Sequence, residues 1–301
     1  HSETKGKPMS VLAKVVKKVA CQIKVRELNQ KFLLHPKRNT GELRASKFSD
    51  KFMKDEWKVE DSYVLTVKMK KGGGRHVIFF HGGAYVEEAL FPHRLIIERF
   101  VRKYHLKVSF IDYPLAPEHT YIDTYRVCLK AYKEIVDKHP KDIFYLFGDS
   151  AGGGLALGFL QLLRKERIVP YPVKTVLASP WLDLTLSNPD IKDYEAKDCM
   201  LSVKSLANCG KWYAGKTDPK DPLVSPMFGD LHHVGAIALF VGTEEIFYPD
   251  CLLLKDKLEH ARHSTVEFHE GKGMVHDWVV GYPMPEAKKA IDEIARFYTK
   301  L

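Results

Sequence analysis

Residues 143–164 read IFYLFGDSAGGGLALGFLQLLR, and this stretch decides the fold. It begins with the apolar run Ile143–Phe147, which favours a buried strand, and it ends with the helical pattern of Gly153–Arg164. Between the two, Gly148-Asp-Ser-Ala-Gly152 has the form G-x-S-x-G. This motif places a serine on a sharp turn from strand to helix, where larger neighbouring side chains would collide. We therefore predict that Ser150 is a nucleophile.

The same glycines allow a second interpretation. Gly148, Gly152 and Gly154 form a G-x-x-x-G-x-G pattern of the kind that some dinucleotide-binding reductases use. However, the pattern follows a strand in the middle of the chain rather than the first one. The chain also contains no Tyr-x-x-x-Lys pair. We therefore prefer the nucleophile and expect no cofactor.

Strand-like runs recur along the chain and alternate with helical patterns. Continuous apolar runs indicate strands that are buried on both faces, as in a parallel sheet covered by helices. We predict a single α/β domain over residues 1–301, with a mostly parallel central sheet flanked by helices. The other predicted strands are Ser62–Lys70, Val77–Phe80, Val108–Ile111, Val173–Leu177, Ile237–Val241 and Thr265–Phe268.

A second glycine-rich motif, His81-Gly-Gly-Ala-Tyr85, follows one of these strands. Its small residues allow backbone N–H groups to turn inward. Together with the N–H of Ala151, the residue after the serine, they can stabilise the oxyanion of a tetrahedral intermediate, at about 2.7–4 kcal/mol per donor. His81 itself is expected to support this turn through hydrogen bonds.

With these motifs the sequence resembles the hormone-sensitive-lipase-like branch (bacterial family IV) of the α/β-hydrolase fold, many of whose members are carboxylesterases. The resemblance covers most of residues 60–300. Asp112-Tyr-Pro-Leu-Ala-Pro-Glu-His119, Ser179-Pro-Trp-Leu-Asp183 and a late histidine also carry it. The resemblance implies a cap formed by about residues 1–55 and 181–230.

The resemblance also implies the donors of the oxyanion hole. These are Gly83, Ala84 and Ala151, with Gly82 as a weaker candidate. Members of the branch usually carry His-Gly-Gly-Gly, so Ala84 is a departure. Its methyl group leaves the backbone donor intact.

The catalytic base is expected after the last predicted strand, because this fold orders its triad as serine, acid, histidine. His276 lies in the loop that follows Thr265–His269. His260, His263 and His269 lie in or beside regular elements, so we expect them to be structural or exposed. We predict His276 as the base, with activity rising through a pKa near about 6.5.

Two adjacent acids compete for the third position of the triad, Glu244 and Glu245. Successive side chains of an extended segment point to opposite sides, so only one of them can orient His276. The register of the family favours Glu245, and Glu244 remains the alternative. Glutamate replaces the usual aspartate in some triads of this fold.

Composition excludes several other classes of protein. With 301 residues, 45% hydrophobic and 28% charged, the chain resembles an ordinary globular protein rather than a disordered or collagenous one. No run of 18 apolar residues predicts a membrane span, so we expect a soluble protein. Five cysteines without a C-x-x-C pair indicate neither a disulfide framework nor a structural zinc site. We therefore predict a cytoplasmic protein, although a chain that starts at His1 leaves the native N-terminus open.

The positive charge is concentrated at one end of the chain. Residues 1–54 contain 14 lysines and arginines against 4 acidic residues, while the whole chain has a net charge of +9. Many of the basic residues lie along two helix-like stretches, about 9–20 and 22–34, and no nucleic-acid motif accompanies them. We interpret them as a solvated helix face and expect no nucleic-acid partner.

Together these patterns predict a serine carboxylesterase for small, short-chain acyl esters, with no metal and no integral membrane segment. A homodimer is compatible with the sequence. Two alternatives remain: a non-catalytic binding module on the same fold, and an amidase or arylformamidase that uses the same triad. A binding module would be expected to lose a member of the triad, whereas this chain keeps a serine, an acid and a histidine in the expected order.

Overall fold

The protein is described here by a computed structural model, in which residues 9–300 are placed. Its centre is an eight-stranded sheet with the strand order β1-β2-β4-β3-β5-β6-β7-β8. The strands are β1 Met53–Val59, β2 Ser62–Lys68, β3 Arg75–Phe80, β4 Lys107–Ile111, β5 Ile143–Asp149, β6 Lys174–Ala178, β7 Gly235–Gly242 and β8 Ser264–Gly271.

Helices connect the strands and cover both faces of the sheet. They are α1 Val11–Gln22, α2 Val25–Leu34, α3 Phe91–Tyr104, α4 Tyr121–Lys138, α5 Ala151–Lys165, α6 Ile191–Glu195, α7 Val203–Ala214, α8 Tyr248–His260 and α9 Pro285–Thr299. The prediction of a mostly parallel sheet flanked by helices is confirmed. Strand β1 was not predicted. Its residues are mostly polar, and in the structure most of them are exposed or half-buried.

The direction of the strands determines where a site can form. Strands β1, β2 and β4 pair antiparallel, whereas β4, β3, β5, β6, β7 and β8 pair parallel in that order. The carboxyl ends of β3, β5, β6, β7 and β8 therefore meet at one edge of the sheet. Ligands of open α/β sheets bind at this edge.

The core lies in two apolar layers, one on each face of the sheet. One layer contains Ile78, Leu146 and Leu177 beneath α4, α5 and α8. The other contains Phe79 and Phe147, whose rings stack 4.7 Å apart, and it is covered by α3 and α9. The continuous apolar character of the central strands follows from burial on both sides.

The two segments predicted to form a cap meet through polar contacts. Helix α2 lies against α7. Arg26 donates to the carbonyl of Glu195 at 2.7 Å, and Asn29 donates to the carbonyl of Met200 at 3.0 Å. Arg26 therefore links an N-terminal helix to the segment between β6 and β7, while the cap itself stays a prediction.

The end of the N-terminal segment packs against the sheet. Leu43, Phe48 and Phe52 lie in the second core layer. Strand β1 then begins at Met53, so residue 55 lies within the sheet. The bounds of the cap, about 1–55 and 181–230, stay a prediction.

Among residues 9–300, no helix combines the length and the apolar character that crossing a bilayer requires. In the same range, no three His, Cys, Asp or Glu side chains are grouped so that they could hold a metal ion. The cytoplasmic location and the homodimer stay predictions.

Candidate active site

Ser150 lies in the turn between β5 and α5, at the carboxyl edge of the sheet. Its backbone has φ 51° and ψ −120°, which a non-glycine residue adopts only under strain. The flanking glycines permit this turn. A Cβ at Gly148 would collide with the carbonyl of Gly152, and a Cβ at Gly152 would collide with the carbonyl of Phe80. The packing thus explains why G-x-S-x-G needs both glycines.

His276 lies beside this serine, in the turn that follows β8. Its Nε2 is 3.0 Å from Ser150 Oγ. Both residues are nearly buried, with 6% of their surface exposed. The strand order brings together two residues from opposite halves of the chain, and Nε2 is positioned to take the hydroxyl proton.

Glu245 approaches the other nitrogen of the same imidazole. Its Oε2 is 3.4 Å from His276 Nδ1 and accepts a hydrogen bond from Ser179 Oγ at 2.9 Å. Glu245 is fully buried in the loop after β7. A carboxylate on this side would hold the Nδ1–H tautomer and leave Nε2 free to accept.

Glu244 points away from the imidazole. Its carboxylate pairs with the Lys17 ammonium of α1, and its backbone N–H donates to the carbonyl of Met274 at 3.1 Å. The two adjacent glutamates therefore face different partners. The structure brings Glu245, and not Glu244, to His276.

Burial and charge act against each other on these groups. Burial raises the pKa of Glu245. Burial lowers the pKa of His276, but the carboxyl groups of Asp277 and Glu245 raise it by more, to about 9. This value lies above the 6.5 of a free imidazole that the sequence alone suggested. The base form of His276 is therefore expected to increase into the alkaline range.

The predicted oxyanion donors lie in the loop after β3 and in the residue that follows the serine. Gly83, Ala84 and Tyr85 all have positive φ, at 122°, 52° and 63°, and this bends the loop after β3. Among the described residues, the N–H groups of Gly83, Ala84 and Ala151 have no protein acceptor. Open donors beside a nucleophile are what a developing oxyanion requires.

Gly82 is occupied differently. Its N–H donates to Asp149 Oδ2 at 3.0 Å, so it is not free for an oxyanion. A Cβ at Gly82 would also collide with the same carboxylate. The structure therefore assigns Gly82 to the support of the loop.

His81 supports the loop as well. Its ring stacks on Tyr113 with centroids 4.5 Å apart, and its Nδ1 is 2.6 Å from the carbonyl of Gly82. Burial lowers the pKa of His81 to about 4. His81 is thus a neutral histidine with a structural role.

Two carboxyl groups whose contacts the sequence reasoning missed lie next to the triad: Asp149 is fully buried, and Asp277 is half-buried. Asp149 Oδ2 is 3.1 Å from His93 Nε2, and His93 Nδ1 accepts the N–H of Leu90 at 2.8 Å. His93 must therefore carry its proton on Nε2 and donate it to Asp149.

Charge and position connect these two groups to the triad. Burial raises the pKa of Asp277 well above its usual range. Burial also acts to raise the pKa of Asp149, but His93 holds it below its usual range. Asp277 Oδ2 is 3.6 Å from His276 Nε2. The backbone N–H of Asp277 donates to Ser179 Oγ at 3.2 Å. The only signal in the sequence was that Asp277 directly follows His276.

Aromatic rings surround the serine and the histidine. The backbone N–H of Trp181 donates to the Ser150 carbonyl at 2.9 Å, and Phe247 packs edge-on against the His276 ring at 5.1 Å. Tyr85 stacks on Tyr213 of α7 with centroids 3.7 Å apart. The sequence reasoning did not identify Trp181 and Phe247 as neighbours of the site.

The other histidines considered as bases lie elsewhere. His269 stacks on Phe240 and faces Glu267 and Glu293 at 3.7 and 3.8 Å. His260 is exposed at the end of α8, and His263 stacks on His233. The structure brings none of the three to Ser150.

Comparisons with known proteins agree with this geometry. A sequence profile described as alpha/beta hydrolase fold matches residues 77–280. An esterase of Acinetobacter venetianus is 33% identical over 78% of each chain, and an acetyl-hydrolase of Streptomyces hygroscopicus is 30% identical over 77% of each. The crystal structure of a hormone-sensitive lipase from a metagenome library superposes with a TM-score of 0.81 at 25% identity. It covers 97% of this chain and 99% of its own.

Proposed function

Because this chain belongs to the alpha/beta hydrolase fold family, in its hormone-sensitive-lipase-like branch, we propose that it cleaves short-chain acyl esters through Ser150, His276 and Glu245. The chain is a serine hydrolase of carboxylic esters. The observation that carries the proposal is the 3.0 Å contact between Ser150 Oγ and His276 Nε2 beside unpaired backbone N–H groups.

In the first half of the reaction, Ser150 Oγ attacks the ester carbonyl and passes its proton to His276 Nε2. Glu245 stabilises the imidazolium that forms. The carbonyl oxygen becomes negative and accepts hydrogen bonds from Gly83, Ala84 and Ala151. When the tetrahedral intermediate collapses, the C–O bond to the alcohol breaks and the alcohol leaves with the proton from His276.

In the second half, water attacks the acyl-enzyme. His276 accepts a proton from the water, and the same three N–H groups stabilise the second oxyanion. Collapse then returns the proton to Ser150 Oγ and releases the acid.

Three observations support a preference for short acyl groups. Trp181 and Phe247 are fully buried next to the nucleophile and the base, so protein atoms fill much of the space around Ser150. The stacked rings of Tyr85 and Tyr213 fill space beside the oxyanion loop in the same way. The relative from Streptomyces hygroscopicus is named an acetyl-hydrolase, which agrees with a small acyl group.

The test is hydrolysis of p-nitrophenyl acetate, butyrate and decanoate by the wild type and by Ser150→Ala. We expect kcat on acetate to fall by about five orders of magnitude in the variant. The wild type is expected to prefer acetate or butyrate to decanoate. Turnover that survives in Ser150→Ala would overturn the nucleophile, and a preference for decanoate would overturn only the acyl preference.

A matched pair of substrates addresses the amidase alternative. p-Nitrophenyl acetate and p-nitroacetanilide carry the same acyl group and differ in the bond that is cleaved. We expect kcat/KM to be larger for the ester. Comparable or greater turnover of the anilide would favour the amidase.

A further inference from the structure

Helix α1 is docked with its polar side toward the protein. Ala13 is buried, and Lys17 reaches Glu244 and the carbonyl of Gly273, the latter at 3.1 Å. At its N-terminus, Ser10 N–H donates to Glu286 Oε1 at 2.6 Å. The contacts that hold α1 are therefore hydrogen bonds, an ion pair and the packing of Ala13 into the second core layer.

The opposite side of α1 presents apolar side chains to solvent. Six exposed apolar side chains belong to α1 and to the residue that follows it. At about 100° per residue, all six fall within a sector of about 140° around the helix axis. Helix α2, which lies against α1, also leaves Leu28 46% exposed and Phe32 50% exposed. The exposed residues of α1 and its C-cap are Val11 79%, Leu12 50%, Val15 51%, Val16 43%, Val19 45% and Ile23 59%.

This orientation is the reverse of the usual one. A surface helix normally buries its apolar stripe against the core and turns its charges outward. A continuous apolar patch that remains in water marks a surface that binds something. The apolar face of α1, defined by the six residues above, is such a patch.

The charges beside the patch indicate what it binds. Lys14 and Lys18 are exposed and border the apolar sector, and Lys24 follows at the start of α2. Glu27 is the only acidic residue between residues 9 and 34. A helix with valines on one side and lysines along the edge has the pattern of an interfacial helix on anionic lipid.

We propose that α1 binds the surface of an anionic phospholipid bilayer. The valines enter the boundary between headgroups and acyl chains, and Lys14 and Lys18 contact the lipid phosphates. A second copy of this chain fits the patch less well. A two-fold interface would bring the same lysine edges together without an acidic partner.

The position of α1 determines where a bound bilayer would lie relative to the active site. Lys17 holds α1 to Glu244 and Gly273, in the loops that also carry Glu245 and His276. A bilayer bound by α1 would therefore lie on the side of the molecule where these loops are. The binding itself depends on the surface of α1 and not on the reaction.

Vesicle sedimentation tests the proposal with the full chain. The vesicles are pure phosphatidylcholine or an equal mixture with phosphatidylglycerol, at low salt. The variants are Val15→Glu/Val19→Glu and Lys14→Gln/Lys18→Gln. The matched control is Val169→Glu/Val173→Glu, which alters two valines that are 67% and 48% exposed in the loop before β6.

We expect the wild type and the control to bind the anionic vesicles equally, and the neutral vesicles much less. The valine variant should bind at least about tenfold more weakly because it removes the inserted side chains. The lysine variant should bind about 30-fold more weakly, at about 1 kcal/mol per lysine. Circular dichroism and the thermal midpoint show whether each variant is folded.

Three results would overturn the proposal. The first is a wild type that binds neither kind of vesicle, or both equally. The second is a folded valine variant that binds like the control. The third is a concentration-dependent dimer, seen by light scattering, that the valine variant abolishes, since this would assign the patch to a second copy of the chain.

Discussion

In α5, which follows Ser150, every residue from Ala151 to Leu160 is buried, whereas in α1 only Ala13 is. Both helices are rich in apolar side chains, yet one is enclosed by the sheet and the other turns its valines to water. The turn at Ser150 has no room for an added atom, while α1 is held by a few polar contacts. The comparison teaches that apolar periodicity identifies a face of a helix but not its partner.

Glu244 and Glu245 lie on the border between these two regions, and replacing them one at a time sharpens the comparison most. Glu245→Gln should lower kcat by about 10³- to 10⁴-fold, because an amide cannot stabilise the imidazolium. Glu244→Gln should change kcat less than twofold and cost less than about 1 kcal/mol of stability, since it removes only the half-exposed pair with Lys17. Steady-state kinetics and urea unfolding measure both. Equal losses of activity would mean that the assignment of the acid is wrong.

Two glycines test how tightly the turn is packed. Gly152→Ala should cost about 3 kcal/mol or more, because its Cβ would collide with backbone carbonyls of Phe80 and His81. Gly73→Ala, in the turn between β2 and β3, meets nothing within 4 Å and should stay within about 0.5 kcal/mol of the wild type. Urea denaturation gives both values. A small effect at Gly152 would show that the turn can relax.

Valine truncation compares the two regions with the same chemistry. Val77→Ala removes two methyl groups from a fully buried strand and should cost about 2 kcal/mol. Val15→Ala, at a position 51% exposed, should cost less than about 0.5 kcal/mol. Thermal and urea unfolding measure the difference. A large cost at Val15 would mean that the valine face packs against the protein after all.

The smallest expected effect concerns the carboxyl group of Asp277 next to the triad. Asp277 Oδ2 is 3.6 Å from His276 Nε2, and its negative charge helps to raise the pKa of that imidazole. Asp277→Asn removes this charge and keeps the size of the side chain. The pKa of His276 should therefore fall, and the acid limb of kcat/KM should move about one unit to lower pH. A limb that stays in place or moves upward would show that the charge of Asp277 does not act on His276.

The sequence was sufficient for features that depend on neighbouring residues. The strand, the serine turn and the helix of residues 143–164 follow from local patterns, and the alternation of strands and helices predicts the sheet. It was insufficient where distant residues decide. Glu245 accepts a hydrogen bond from Ser179, and Glu244 pairs with Lys17. Both partners are distant from the two glutamates in sequence. Strand β1 was missed because one of its edges faces solvent and its residues are mostly polar.

The orientation of α1 could not be predicted for the same reason. Its periodicity separates a valine side from a side with Lys17, but only the loops with Glu244 and Gly273 decide which side docks. The contact between Asp149 and His93 was likewise hidden, because aspartates are usually ionised and solvated. A sequence shows that both residues exist, and only the fold shows that they meet.

The raised pKa of Asp277 also couples folding to the solvent. In the unfolded chain Asp277 titrates near its ordinary pKa of 3.8, whereas in the folded protein burial raises this pKa well above that value. Between these two pKa values, folding therefore takes up a proton at this position, and unfolding releases it. The contribution of Asp277 to the free energy of unfolding thus decreases as the pH rises from 3.8 toward its folded pKa. In this pH range the heat of unfolding will accordingly depend on the ionisation enthalpy of the buffer.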